Sequence, residues 1–227
     1  MDEGKLFAAR LVAARARPYL AAALYALCPV ASGRVPTMAV DRYWRCYVSP
    51  AFVAATPVAE LAGVWVHEVS HLLRDHHGRG DRYAARHGLS GRGERLRMNI
   101  AADLEINDDV YGEGLAEPWG AVRPERLRLD PGLLMEEYLG RFTLGPAVQD
   151  FVWLDCGSGA DGLEREWDLG PDGAHGLSDE ERDAVRFRVA RGIEGHPGDV
   201  PQGWRRWAEE AFHPPQPWRE LLGAAIR

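Results

Sequence analysis

The sequence predicts a mainly helical α+β domain with one small β-sheet, and three observations carry that reading. The stretch from Lys5 to Leu27 is rich in Ala, Leu and Arg, which favour helix. A single run rich in Val, Tyr and Trp, from Met38 to Val48, has the composition of strand. Capping residues and glycines sit where the helical segments should start and stop. At 227 residues and 46% hydrophobic, the chain is long and apolar enough to bury one sizeable core, which excludes intrinsic disorder.

Lys5 to Leu27 reads as helix, divided by Pro18, with Leu6, Leu11, Leu20 and Leu24 on a packed face. The apolar stretch from Tyr19 to Ala31 follows Arg15 and Arg17, as the core of a signal peptide would. The acidic start (Asp2, Glu3) and the long amphipathic segment before it favour a helix that is packed rather than exported. Ser32 and Gly33 make a turn, and Met38 to Val48 follows as one or two short strands. Thr56 and Pro57 then open a helix that should run to about His77, since a hydroxyl can cap exposed amides and proline suits the first turn. Its first half is apolar nearly all round (Val58, Leu61, Ala62, Val64, Trp65, Val66), which means burial on most sides, and Gly78 and Gly80 supply the stop.

A Gly- and Arg-rich connection, Gly78 to Gly93, leads to a second helix from about Glu94 to Val110, ended by Gly112 and Gly114. A short helix is expected near Leu133 to Phe142, then a long Gly- and Asp-rich loop from Gly157 to Gly176. Ser178 with Glu181 three residues on forms a capping box for a helix to about Ile193. Two short Trp-bearing helices, one with Trp204 and Trp207 and one with Trp218 and Leu222, finish the chain. The tryptophans are at helical spacing, which reads as core before it reads as binding surface.

The charge balance of 27 basic against 34 acidic residues gives −7, with both signs interspersed, which disfavours a nucleic-acid-binding surface. No run reaches the roughly 18 to 20 apolar residues of a membrane span. Cys28, Cys46 and Cys156 are widely spaced and make no Cys-x-x-Cys pair, so a reducing, cytoplasmic setting is expected.

The sharpest chemical signal is His67-Glu68-Val69-Ser70-His71, an H-E-x-x-H inside a predicted helix. Residues four apart share one helical face, so both imidazoles reach one metal ion, while Glu68 is rotated about 100° toward the water completing the coordination. Zinc at such a site acidifies that water, and Glu68 is placed to take its proton. Two buried core histidines beside a salt-bridged glutamate are the bland alternative, costly in so apolar a helix unless something pairs them.

A catalytic zinc needs a third protein ligand, and Asp75, His76, His77, Asp103 and Glu105 are the candidates. On a helical wheel Asp103 is centred on the face of Ile100, Leu104 and Ile106, with Asn99 and Asn107 one turn to either side, whereas Glu105 points nearly opposite, toward solvent. That placement favours Asp103, with the amides supporting it. Pairing of Asp103 with Arg74 or Arg97 is its structural alternative. His77 is the rival ligand, since it holds the third-histidine position of H-E-x-x-H-x-x-G-x-x-H, but Arg74 stands where that pattern needs glycine. His76 is half a turn from His67 and cannot join while the helix persists.

Weaker features surround this signal. The loop Cys156-Gly157-Ser158-Gly159-Ala160-Asp161-Gly162 lacks the ending of a phosphate loop, and Cys156 is read as part of a turn before it is read as a nucleophile or a latent-state ligand. His87, Tyr111 and His175 are candidate donors to a developing oxyanion, with surface or packing roles as the plainer reading of each. A strand at Met38 to Val48 beside the metal helix would offer an edge for an extended peptide.

With these residues in view, the chain resembles the bacterial putative metallopeptidase domain family that usually precedes a von Willebrand factor A-like domain. The resemblance is carried by Thr37-Met38-Ala39-Val40-Asp41, by His67 to Arg79, and by Asn99-Ile100-Ala101-Ala102-Asp103 through Asn107. It extends to the Cys156 to Gly162 loop and to the tail from His196 through Trp218-Arg219-Glu220-Leu221-Leu222. It implies a zincin-like, zinc-dependent peptidase domain acting on a protein or peptide substrate, and partners that include an A-like domain and a MoxR-type AAA+ ATPase. The A-like domain is expected to begin where this sequence ends, at Arg227.

The combined expectation is a single domain over 1–227. It comprises N-terminal helices and strands (1–55), a metal-binding helix pair (56–112) and a loop-rich helical part (113–227). Zn2+ is held by His67, His71 and Asp103, and Glu68 is the general base of peptide-bond hydrolysis. A non-catalytic module stapled by zinc and a zinc hydrolase acting on a non-peptide amide are the alternatives.

Overall fold

Asp2 opens the first helix, α1 (Glu3–Ala16), by accepting a hydrogen bond from the Lys5 amide at 2.9 Å. The computed structural model describes residues 1–111, 114–118, 121–143, 165–196 and 200–213. The Cys156 loop and the expected helix at Trp218 lie outside these residues. Among them the protein is mainly helical, with one three-stranded sheet.

Pro18 divides the N-terminal helical region as expected: a 3-10 turn (Pro18–Leu20) intervenes before α2 (Ala21–Ala26). The sheet then forms from β1 (Cys28–Ala31), β2 (Met38–Val40) and β3 (Arg45–Val48) in the order β1-β3-β2. The β2–β3 pair is antiparallel, in register Ala39↔Tyr47, and β1 runs parallel to β3. Strand β1 corrects the expectation of helix up to Ala31. Its residues gain a pairing partner that local propensity does not register. The Arg45 guanidinium, fully buried, lies 2.7 Å from Asp41, which also accepts from the Tyr47 hydroxyl at 2.8 Å. Buried charge is tolerable only when paired in this way.

Ser49 caps α3 (Pro50–Ala55), so Thr56 closes that helix instead of opening the next. Helix α4 (Val58–Leu73) begins after Pro57 without a side-chain cap and is the buried spine of the fold, packed by α1, α2, β2 and the later α6. Gly63 admits the Ala116 carbonyl so closely that a Cβ there would be 2.5 Å from it.

Helix α4 was expected to reach His77 but ends at Leu73. The indole of Trp207 donates to the Leu73 carbonyl (2.9 Å) and Arg186 to the Leu72 carbonyl (3.2 Å), satisfying the helix end from elsewhere in the fold. Asp75 then takes a left-handed conformation (φ 51°) and caps a new helix, α5 (His76–His87), which contains Gly78 and Gly80 instead of stopping at them. The expected Gly-rich connection is therefore mostly helix.

Helix α6 (Arg92–Val110) follows, with Glu94 folded back onto the Gly91 amide at 2.9 Å. Met98, Leu104, Met135 and Tyr138 form a second core between α6 and the short α7 (Met135–Leu139). The capping box of Ser178 and Glu181 opens α8 (Asp179–Glu194), and α9 (Gln202–Phe212) buries Trp204 in the main core with Leu20, Leu24, Trp65 and Val189. No described helix is long and apolar enough to cross a membrane.

Candidate metal centre

Helices α4 and α6 lie against each other, and three side chains meet between them. His67 and His71, one turn apart on α4, bring their Nε2 atoms to 3.0 Å. The Asp103 Oδ1 on α6 lies 3.5 Å from the first and 3.1 Å from the second. All three side chains are buried, and their donor atoms could hold one metal ion. Arg74 and Arg97 are engaged elsewhere, Arg74 with Glu105 and Asp109 and Arg97 with the Leu139 carbonyl.

Asn107 settles which nitrogen of His67 faces the centre. Its amide nitrogen donates to the Val122 carbonyl at 2.8 Å, so its Oδ1 is the atom 2.8 Å from His67 Nδ1 and accepts that N–H. The lone pair of neutral His67 is then on Nε2, facing His71 and Asp103. Electron pairs converging at these distances repel unless a cation sits among them. The separations of 3.0 to 3.5 Å bracket the edge of about 3.3 Å that a tetrahedron of zinc-length bonds requires, so the donor set fits such an ion.

The electrostatics agree. Burial opposes a charge on His67, yet the Asp103 carboxylate outweighs it and raises the imidazole to about 9. Burial lowers His71 to about 3, aided by the charge of His67. Burial alone would raise Asp103, but the two imidazoles hold it below the ordinary carboxylate range.

Glu68 is fully buried on α4, beside His67 in sequence and close enough to influence both His67 and the buried thiol of Cys46. His77, the rival ligand, is not in the group that converges on this point. Its imidazole is buried beside the Val40 backbone of the edge strand β2, and burial lowers it to about 3. Strand β2 does lie beside α4, but its three residues are buried, so the edge is covered. Tyr111 packs beside Gly63 on α4, His87 is exposed and stacks with Tyr83, and His175 is exposed.

Two placements depart from the sequence reading. Glu105 does not point to solvent: it is 3% exposed and accepts from Arg79 (3.0 and 2.7 Å) and from the Met135 amide (2.6 Å), because α5 and α7 cover that side of α6. His76 does approach the centre, with its Nδ1 2.9 Å from His71 Nδ1, because the helix breaks before it. The signal for that break was present in Asp75, three residues before Gly78, where it can cap a restarting helix.

A family model described as "Putative metallopeptidase domain" matches residues 2–144, which include the sheet, both metal-centre helices and α7. The chain belongs to this family. No curated protein and no solved structure matches the chain. As a member of the metallopeptidase domain family, the protein carries its candidate ligands and its glutamate within the matched region.

Proposed function

We propose that this protein is a zinc-dependent peptidase in which His67, His71 and Asp103 hold the metal and Glu68 is the general base. The observation that carries the reading is the convergence of two imidazole nitrogens and one carboxylate oxygen beside a buried glutamate of the same helix. Zinc held there lowers the pKa of a water and polarises a carbonyl. Glu68 accepts the water's proton and returns it to the departing amine. Asn107 keeps His67 in the tautomer that offers Nε2, and burial strengthens every electrostatic interaction at the reacting atoms.

A second reading is favoured by the burial itself, since the four residues are at most 5% exposed. In it, the metal fastens α4 to α6 in a non-catalytic module that serves partners such as an A-like domain or a MoxR-type AAA+ ATPase. Three protein ligands and a glutamate base argue for catalysis, because structural zinc sites are typically closed by four protein ligands.

Glu68→Gln separates the two. Zinc content by plasma mass spectrometry should stay at one per chain in both proteins. Cleavage of unfolded casein and of a peptide library should fall about 10²-fold or more in the variant. Equal cleavage by parent and variant at full zinc content overturns the catalytic reading in favour of the stapled module.

A further inference from the structure

Behind His71 a line of polar groups leads away from the metal centre: His76 and then Glu105, both buried, and then the half-buried Arg79. None of the three belongs to the H-E-x-x-H. They meet because the left-handed Asp75 turns the chain so that His76 comes back over His71, while Glu105 reaches it from α6.

The protons along this line can be assigned one after another. Glu105 Oε2 accepts from Arg79 Nη2 at 2.7 Å and from the Met135 amide at 2.6 Å, and Oε1 accepts from Arg79 Nη1 at 3.0 Å. It is held as a carboxylate, which can only accept. His76 Nε2 faces Oε2 at 3.4 Å, a long contact that is attractive only if that nitrogen carries the proton. His76 Nδ1 is then an acceptor, and His71 Nδ1, 2.9 Å away, must donate to it. The lone pair of His71 is left on Nε2, which faces His67 and Asp103. The reverse assignment sets the His76 Nδ1 proton against His71 and puts a proton where the metal belongs.

We infer that His76 is a positioning residue which, anchored by Glu105, fixes the tautomer and ring plane of His71 so that its Nε2 is presented to the metal. The inference rests on the metal-centre reading and extends it to a residue on the far side of a helix break. Asn107 does the same for His67. Each α4 imidazole thus has its own acceptor on its outer nitrogen, a carbonyl oxygen in one case and a second histidine in the other.

The test is metal affinity of the whole chain, read by competition with a chelating dye and by the visible bands of bound Co2+. His76→Phe, which keeps a ring and removes the acceptor, should weaken zinc binding about 10- to 100-fold and alter the cobalt bands. His76→Asn, whose carbonyl can stand in for Nδ1, should recover most of that loss. A folded His76→Phe protein with parental affinity and spectrum overturns the inference, as does a folded His76→Asn protein as weak as the phenylalanine variant. If His76→Phe does not fold, the imidazole 15N shifts of the zinc-loaded parent decide: His76 protonated on Nε2 supports the inference, and protonated on Nδ1 overturns it. A parent that binds neither metal defeats the metal-centre reading itself, and the role of His76 with it, which is distinct from a loss confined to the variants.

Discussion

Asn107 illustrates how much one amide can decide. Its two hydrogen bonds, one to Val122 and one from His67, fix the amide orientation and through it the imidazole tautomer. Replacing it by leucine removes the acceptor of the His67 proton and leaves the Val122 carbonyl unsatisfied, a cost of about 1–3 kcal/mol in a buried site. Asn107→Leu should therefore lower zinc affinity about 10- to 100-fold in a chelator competition, with one equivalent still bound at saturating zinc. Parental affinity in the folded variant would show that the amide does not prepare the ligand. His77, next to His76, is buried beside the Val40 backbone instead. Adjacent histidines thus face different neighbours, His71 in one case and β2 in the other, because a new helix starts at His76.

Helix α6 carries Asp103 at its middle and two adjacent acids, Asp108 and Asp109, at its C-terminal end, where the helix dipole disfavours negative charge. Asp109 is answered by Arg74 at 2.6 Å. Asp108 accepts from the Gly132 amide at 2.6 Å, but burial, with the neighbouring charge of Asp109, raises it to about 6. A carboxyl whose folded pKa is raised stabilises the fold below its unfolded value of 3.8, and that contribution is lost as pH rises through about 6. Asp108→Asn keeps an acceptor for Gly132 and removes the titration. At pH 4 the variant should melt with the parent. At pH 7 it should be more stable by about 1–2 kcal/mol, once solvent screening is allowed for. That corresponds to roughly 2–8 °C in Tm by calorimetry. A pH-independent difference would remove Asp108 as the cause.

Over the whole molecule, a metal held by His67, His71 and Asp103 would tie the main core around α4 to the second core between α6 and α7. A ligand that binds only the folded state stabilises it by mass action, about 4 kcal/mol at a thousandfold excess over Kd. Removing zinc with a chelator should then lower Tm by roughly 8–16 °C. Asp103→Ala, measured alongside, should respond little to either zinc or chelator. Equal responses of the two proteins would place the metal somewhere other than this triad.

The sequence by itself determined whatever local periodicity controls. The interval from His67 to His71 and the centring of Asp103 between Asn99 and Asn107 both follow from 3.6 residues per turn, and the structure brings those side chains together. The capping box at Ser178 and the break at Pro18 were legible for the same reason, since each acts within one turn of itself. Tertiary structure decided the rest. Strand β1 exists through pairing with β3, seventeen positions along the register from Cys28 to Arg45. Helix α4 ends at Leu73 because Trp207 and Arg186 arrive from α9 and α8 to satisfy its last carbonyls. That ending brings His76 back to His71, and the cover supplied by α5 and α7 turns Glu105 from an outward position on the wheel into a buried anion. A wheel assumes the helix continues and that one face meets water. Neither condition is local, so only the folded chain could set them.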